Sequence, residues 1–160
     1  MKPIPRPVEG DQTEAGARLR LERFLPYRLS VLTNMVSRAI QRLYDERFGL
    51  SIPEWRVMAA LGRYGALTAS DICGVTAMDK VQVSRAVSRM QRRKLVRSAG
   101  PAEDRRRRPL QLSRAGEAIY EEIVPLALDR ERRLLSALSP GEARDLDRLL
   151  TKLQEQAKRL

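Results

Sequence analysis

Between Thr68 and Ser113 the chain reads TASDICGVTAMDKVQVSRAVSRMQRRKLVRSAGPAEDRRRRPLQLS, and no other stretch restricts the fold as much. Thr68-Ala69-Ser70-Asp71 puts a hydroxyl at an N-cap position and a carboxylate three residues on, the two halves of a capping box. It opens a short helix that runs to about Val75. Asp79 then offers a fresh N-cap, so only a tight turn separates two helices. The second helix places Val83, Val87 and Met90 on one face, with Lys80, Gln82, Ser84, Arg85 and Arg89 on the others. Two short alternating runs, Leu95–Ala99 and Pro109–Leu112, flank a Gly100-Pro101 turn and four consecutive arginines, the pattern of a hairpin with a charged loop. Pro109 is tolerable at a strand start. The order predicts a helix-turn-helix followed by a β-hairpin wing.

Charge is concentrated in the same stretch. From Arg85 to Arg108 there are ten Lys or Arg and two Asp or Glu, a local net of +8 within a chain whose total is +11. A basic helix face beside a basic loop is the footprint of a phosphate-backbone binder. Other function classes lose ground on composition. The chain has no histidine, the commonest general base and metal ligand. It has no phosphate-cradling glycine loop and no nucleophile beside a base, so we expect no enzyme, no metal and no cofactor. Single-stranded RNA readers stack bases on aromatic residues; here only two Phe, four Tyr and one Trp occur, none of them in the basic stretch. One cysteine allows no intrachain disulfide, which suits a reducing cytoplasm. No apolar run is long enough to span a membrane, and Met-Lys-Pro-Ile-Pro-Arg-Pro is no secretory signal.

The flanking sequence reads as helix. Residues 1–18, with alternating prolines, are expected to be a disordered basic arm. Over 19–48, Leu25, Leu29, Leu32, Val36, Ile40 and Leu43 recur at helical spacing, and Tyr27, Val31, Met35 and Ala39 form a second, weaker stripe. A helix apolar on two sides packs against its own domain and a partner. Pro26 lies near its start and Gly49 ends it. Ser51-Ile52-Pro53-Glu54 opens a helix carrying Trp55, Val57, Met58, Ala59 and Leu61, which stops near Gly65. Ser113 caps a helix expected to reach about Leu138, with a kink at Pro125. Ser139-Pro140-Gly141-Glu142 opens a terminal helix striped by Leu146, Leu149, Leu150, Leu153 and Ala157. The fold class is mostly α with a small β-hairpin wing. Cys73, beside core-facing Ile72, reads as a small buried hydrophobe rather than a redox sensor.

From Phe24 to Leu160 this layout resembles the MarR family of bacterial transcription regulators. The helix-turn-helix, Thr68 to Val96, aligns with the family pattern without a gap. The run Asp104-Arg105-Arg106-Arg107-Arg108-Pro109-Leu110-Gln111-Leu112-Ser113, with Gly116 after it, is similar to the family's wing, Ser113 standing for the usual Thr. One residue departs: Lys94 occupies a position where the family usually has Gly. Either the turn differs there, or a left-handed lysine is tolerated at about 1 kcal/mol.

The resemblance implies a winged helix-turn-helix (51–112) inside a single domain, 19–160, that forms a homodimer through helices in 19–48 and 113–160. Asp79–Arg93 would be the recognition helix and Ala99–Arg108 the wing. In a major groove, Gln82 suits adenine and Val81 a thymine methyl; Ser84 permits close approach, and Lys80, Arg85 and Arg89 suit guanine or phosphate. In the wing, the resemblance makes Arg106 the minor-groove residue and Asp104 its orienting partner, with Arg105, Arg107 and Arg108 on phosphates. The family's effector pocket lies between the dimer helices and the DNA-binding lobe, which singles out Tyr27, Arg28, Asn34 and Trp55. An aromatic slot with a cation suits an aromatic carboxylate or its coenzyme A thioester. The implied function is a repressor of pseudo-palindromic double-stranded operators, released by such a ligand. The alternative is an effector-independent or architectural DNA-binding protein, which would coat DNA rather than protect one short site.

Overall fold

The structure is a computed structural model that describes residues 19–99 and 108–160. The chain divides into two compact units, 1–35 and 36–160, and the division falls within the first helix. In the first unit, Arg20 turns the chain: its carbonyl accepts from Arg23 N at 3.0 Å and Phe24 N at 2.9 Å. Helix α1, Leu25–Phe48, therefore begins later than the expected 19. Pro26 sits in its first turn, where the missing N–H has no helical acceptor to lose.

The second unit holds the remaining elements, whose starts are set by local capping chemistry. Helix α2, Ile52–Tyr64, begins where Glu54 folds back on Ser51; its Oε2 accepts from Ser51 N at 2.8 Å and Oγ at 2.6 Å. Glu54 is buried, and these two donors are what make a buried carboxylate tolerable. Helix α3, Ala69–Thr76, repeats the device with Thr68 and Asp71, and helix α4, Lys80–Arg92, starts on Asp79. Strands β1 (Val96–Ser98) and β2 (Leu110–Leu112) pair antiparallel, Val96 opposite Leu112 and Ser98 opposite Leu110. Leu67 adds a bridge to Leu110 through bonds of 3.0 and 2.7 Å. Helix α5, Arg114–Leu135, runs through Pro125 as one helix and ends three residues before the expected Leu138. Helix α6 spans Pro140–Ala157.

The core lies where α2, α3, α4 and the hairpin meet. Leu50, Val57, Met58, Ile72, Val83 and Met90 are fully buried there, with Tyr44 from α1 and Ile123 from α5. Ile40, Tyr44 and Phe48 form the inner stripe of α1's second half, a spacing of four that displaces Leu43 to its flank. Helix α6 buries none of its residues within this chain.

Two joints set the hairpin and α4. At the end of α4, Lys94 takes φ +58°, Leu95 N bonds Met90 O at 2.9 Å, and Lys94 N bonds Gln91 O at 2.9 Å. This is a Schellman turn, with Leu95 and Met90 both in the core as its apolar contact. Of the two alternatives at Lys94, the left-handed lysine is the one adopted. Ala77, between α3 and α4, is the other non-glycine residue at positive φ among those described. Arg93 closes the second joint: its guanidinium donates to Gly49 O at 3.0 Å and to Phe48 O, satisfying carbonyls at the end of α1.

Lys94→Gly should raise stability by about 1 kcal/mol by relieving the left-handed strain. Lys94→Ala, which keeps a Cβ at the same backbone angle, should leave stability nearly unchanged. Urea-unfolding midpoints of the two variants provide the comparison.

Candidate nucleic-acid interface

The apolar side of α4 determines which side chains reach solvent. Val83, Ala86, Val87 and Met90 are buried against α2, α3 and β1, and this fixes the rotation of the helix about its axis. Lys80, Val81, Gln82, Ser84, Arg85 and Arg89 are consequently all exposed. Val81 is 56% exposed, an apolar group held in water on the first turn. No described ion pair involves α4; those described join Arg47 to Glu122, Arg132 and Arg133 to Asp129, and Arg148 to Asp145. Among the described residues, then, no carboxylate forms an ion pair with the cations of α4.

The first turn is ordered by Asp79. Its Oδ1 accepts from Gln82 N at 2.8 Å, and its Oδ2 from Gln82 Nε2 at 2.9 Å. Asp71 is held similarly by Thr68 N at 2.9 Å and Oγ1 at 2.7 Å. The Thr68 hydroxyl and amide donors hold its carboxyl below the usual carboxylate range.

On the hairpin, Arg97 faces Gln111 across the strand pair. With its oxygen turned to the guanidinium, the Gln111 carboxamide accepts from Arg97 Nη1 at 2.8 Å and Nε at 3.1 Å. Neither residue stood out in the sequence, where strand register was not defined. Arg108 is half-buried at the base of the hairpin. Asp104, Arg105, Arg106 and Arg107 lie outside the described residues.

The residues singled out for an effector fall in both units. Tyr27, Arg28 and Asn34 are exposed on the first half of α1. Trp55, half-buried at the start of α2, stacks between Tyr44 at 5.5 Å and Tyr120 at 6.3 Å. That three-ring stack was missed in the sequence, because its members are distant along the chain and only Trp55 carried a local signal. Gly62 is the position that lets Tyr120 lie flat on α2: a Cβ there would come within 2.5 Å of the ring. Beside the stack, Trp55, Arg56, Ala59, Arg63 and Val75 line an open cleft of about 400 Å³ between α2 and α3. Burial pushes the Tyr44 hydroxyl up to about 12, an effect the charge of Arg56 opposes and that of Asp45 adds to.

Residues 48–107 match the family model described as MarR family. Among solved structures, the MarR/EmrR family transcriptional regulator from Acinetobacter sp. ADP1 superposes with a TM-score of 0.81 at 26% identity, covering 89% of this chain and all of that one. Over its helix-turn-helix and wing the chain is therefore similar to the MarR family, and its fold is that of solved members. A second member, a transcriptional regulator from Silicibacter pomeroyi DSS-3, gives a TM-score of 0.69 at 28% identity over 83% of this chain and 99% of that one. A third is BpsR of Bordetella bronchiseptica, whose DNA binding is regulated by 6-hydroxynicotinic acid; it gives 0.73 at 25% identity, covering 86% and 98%. No curated relative matches the chain. The chain thus shares the winged-helix fold of MarR-family transcription regulators. No described helix is long and apolar enough to cross a membrane.

The Tyr44 shift has a consequence for pH dependence. Between pH 10 and 12 the unfolded phenol ionises while the folded one keeps its proton, so the native state binds more protons and stability falls as pH rises. Tyr44→Phe should lose less stability than wild type across that interval, as measured by denaturant titration at each pH.

Proposed function

We propose that this protein is a DNA-binding transcription regulator of the MarR type, a homodimeric repressor that inserts α4 into the major groove and the hairpin into the flanking minor groove. The observation that carries the DNA-reading role is the exposed face of α4: cations that form no ion pair among the described residues, with Val81, Gln82 and Ser84 on the first turn. Backbone contacts from Lys80, Arg85, Arg89 and Arg105 to Arg108 supply affinity, and first-turn contacts supply sequence preference. Arg106 is assigned to the minor groove and Asp104 to orienting the wing.

The dimer reading rests on apolar surface without a partner in the chain. On α6, Leu146, Leu149, Leu150 and Leu153 are 38–48% exposed along one stripe. On the first half of α1, Leu25, Leu29, Leu32 and Met35 are exposed as well. A second copy covering these stripes removes them from water. Light scattering should give twice the 18.2 kDa chain mass. A footprint should show one short site with half-sites about 10 bp apart, one helical turn. A monomer at micromolar concentration, or broad coating of DNA, goes against this reading.

Arg85→Ala and Arg89→Ala should weaken binding to operator and random DNA alike. Each should reduce the slope of log affinity against log salt by about one. An unchanged slope means that the arginine touches no phosphate.

For the effector, we propose a small aromatic carboxylate or its coenzyme A thioester. The support is the relative regulated by 6-hydroxynicotinic acid, itself an aromatic carboxylate; the contacts expected from the resemblance are Trp55 in one unit and Tyr27, Arg28 and Asn34 in the other. Release requires the ligand to favour the DNA-free conformation, with a coupling of about 1–3 kcal/mol. A gel-shift titration with hydroxybenzoates, hydroxycinnamates, 6-hydroxynicotinate and their thioesters should find one that lowers operator affinity five-fold or more, a loss that is smaller in Trp55→Ala or Arg28→Ala. If no compound acts, the effector-independent alternative stands.

A further inference from the structure

We infer that Asp79 is a specificity-determining positioning residue: it locks the Gln82 carboxamide in the orientation that favours adenine over guanine. This rests on the reading of α4 as the base-reading helix. Capping needs only one acceptor, and Asp79 Oδ1 meets that need by accepting from Gln82 N at 2.8 Å. The second oxygen is free for another role. It accepts one of the two Nε2 hydrogens of Gln82, at 2.9 Å.

A glutamine side chain has several rotatable bonds and loses rotamer freedom when immobilised. Held by Asp79, Gln82 is partly ordered before it meets DNA. The polarity of its amide is also set. A flipped amide would put Gln82 Oε1 against Asp79 Oδ2, two acceptors facing each other with no hydrogen between them. The retained orientation leaves Gln82 one free N–H and one free carbonyl oxygen, a neighbouring donor and acceptor. Adenine offers the complement in the major groove, an N7 acceptor beside an N6 amino donor. Guanine offers two acceptors, N7 and O6, and its O6 would face the Gln82 oxygen.

The same logic makes the inference invertible. Asp79→Asn keeps the size of the side chain and an oxygen for the N-cap. Its amide nitrogen, standing where Oδ2 stood, donates instead of accepting. Gln82 then has to turn its oxygen toward residue 79, which leaves both Nε2 hydrogens facing outward. Two donors suit guanine O6 and N7. Asp79→Ser keeps the cap but is too short to hold the Gln82 amide, so both orientations become accessible.

The test is selection and sequencing of bound DNA from a pool randomised over the wild-type footprint, followed by competition gel shifts on sites differing by adenine or guanine at one position per half-site. Wild type should prefer adenine there by roughly tenfold, the scale of one good bidentate contact. Asp79→Asn should move the preference toward guanine at that position alone. Asp79→Ser should flatten it while melting near the wild-type temperature, so that loss of the cap is not the cause. In a Gln82→Ala background, Asp79→Asn should leave the base ranking as it was, which a double-mutant comparison isolates. If Asp79→Asn retains the wild-type ranking, or changes it equally without Gln82, the inference is overturned while the base-reading role of α4 stands. A wild-type protein that ranks no DNA above random sequence overturns both.

Discussion

Lys94 and Leu95 form the joint on which the geometry of the DNA-binding half depends. Lys94 O accepts from Ser113 Oγ at 2.6 Å, and Leu95 O accepts from Ser113 N at 2.9 Å. The same serine hydroxyl caps α5 by accepting from Gly116 N at 3.1 Å. Any Cβ on Gly116 would lie 2.2 Å from Leu95 O, so the first turn of α5 rests directly on backbone. The end of α4, the two strands and the start of α5 are thereby a single hydrogen-bonded unit. The angle between α4 and the hairpin is set by backbone, which is stiffer than side-chain packing. Strain at a left-handed lysine persists because so many neighbouring contacts over-determine it.

Arg93 extends the joint to α1. A guanidinium planted on Phe48 O and Gly49 O interacts with the negative end of α1 while its own backbone belongs to the cap of α4. The salt bridge from Arg47 to Glu122 ties the last turn of α1 to α5. If α1 and α5 contribute to the dimer interface as proposed, a change in that interface reaches α4 through the carbonyls at the end of α1 and the hydroxyl of Ser113. On the proposed reading, a ligand at the dimer helices would alter the spacing of two recognition helices by this path. It works only through differential affinity for the two arrangements.

The parts of this fold legible in the sequence are those governed by local chemistry. Ser51, Thr68, Asp79, Ser113 and Ser139 all stand at the helix starts they signalled, because an N-cap depends on residues three apart and little else. The exposed face of α4 was legible for a similar reason: Val83, Val87 and Met90 define the buried side by periodicity alone. Long-range geometry was hidden. Tyr44 was not singled out in the sequence, yet it is buried, with Trp55 from another helix lying against it. Arg93 looked like one more cation in a basic run, and nothing in its neighbours announced that it would cap a helix 44 residues away. At Lys94 the sequence posed the right question, and only the backbone dihedral answered it.

Affinity and discrimination are divided along α4 by where charge can be afforded. The first turn carries Asp79, whose carboxylate is favourable at the positive helix terminus and partly offsets Lys80 beside it. On the proposed reading the attraction close to the bases would be weaker, and Val81, Gln82 and Ser84 would act through shape and hydrogen-bond polarity. The exposed cations Arg85, Arg89 and Arg92 follow at spacings of three or four, each step carrying them further from the helix N-terminus. Phosphates attract such groups whatever the sequence, so a gain in charge there strengthens all DNA alike. A charge added to the first turn instead would strengthen wrong sites as much as right ones and blur the readout. An acidic cap among so many cations fits selectivity: it would lower the general attraction at the place where, on the proposed reading, bases are compared.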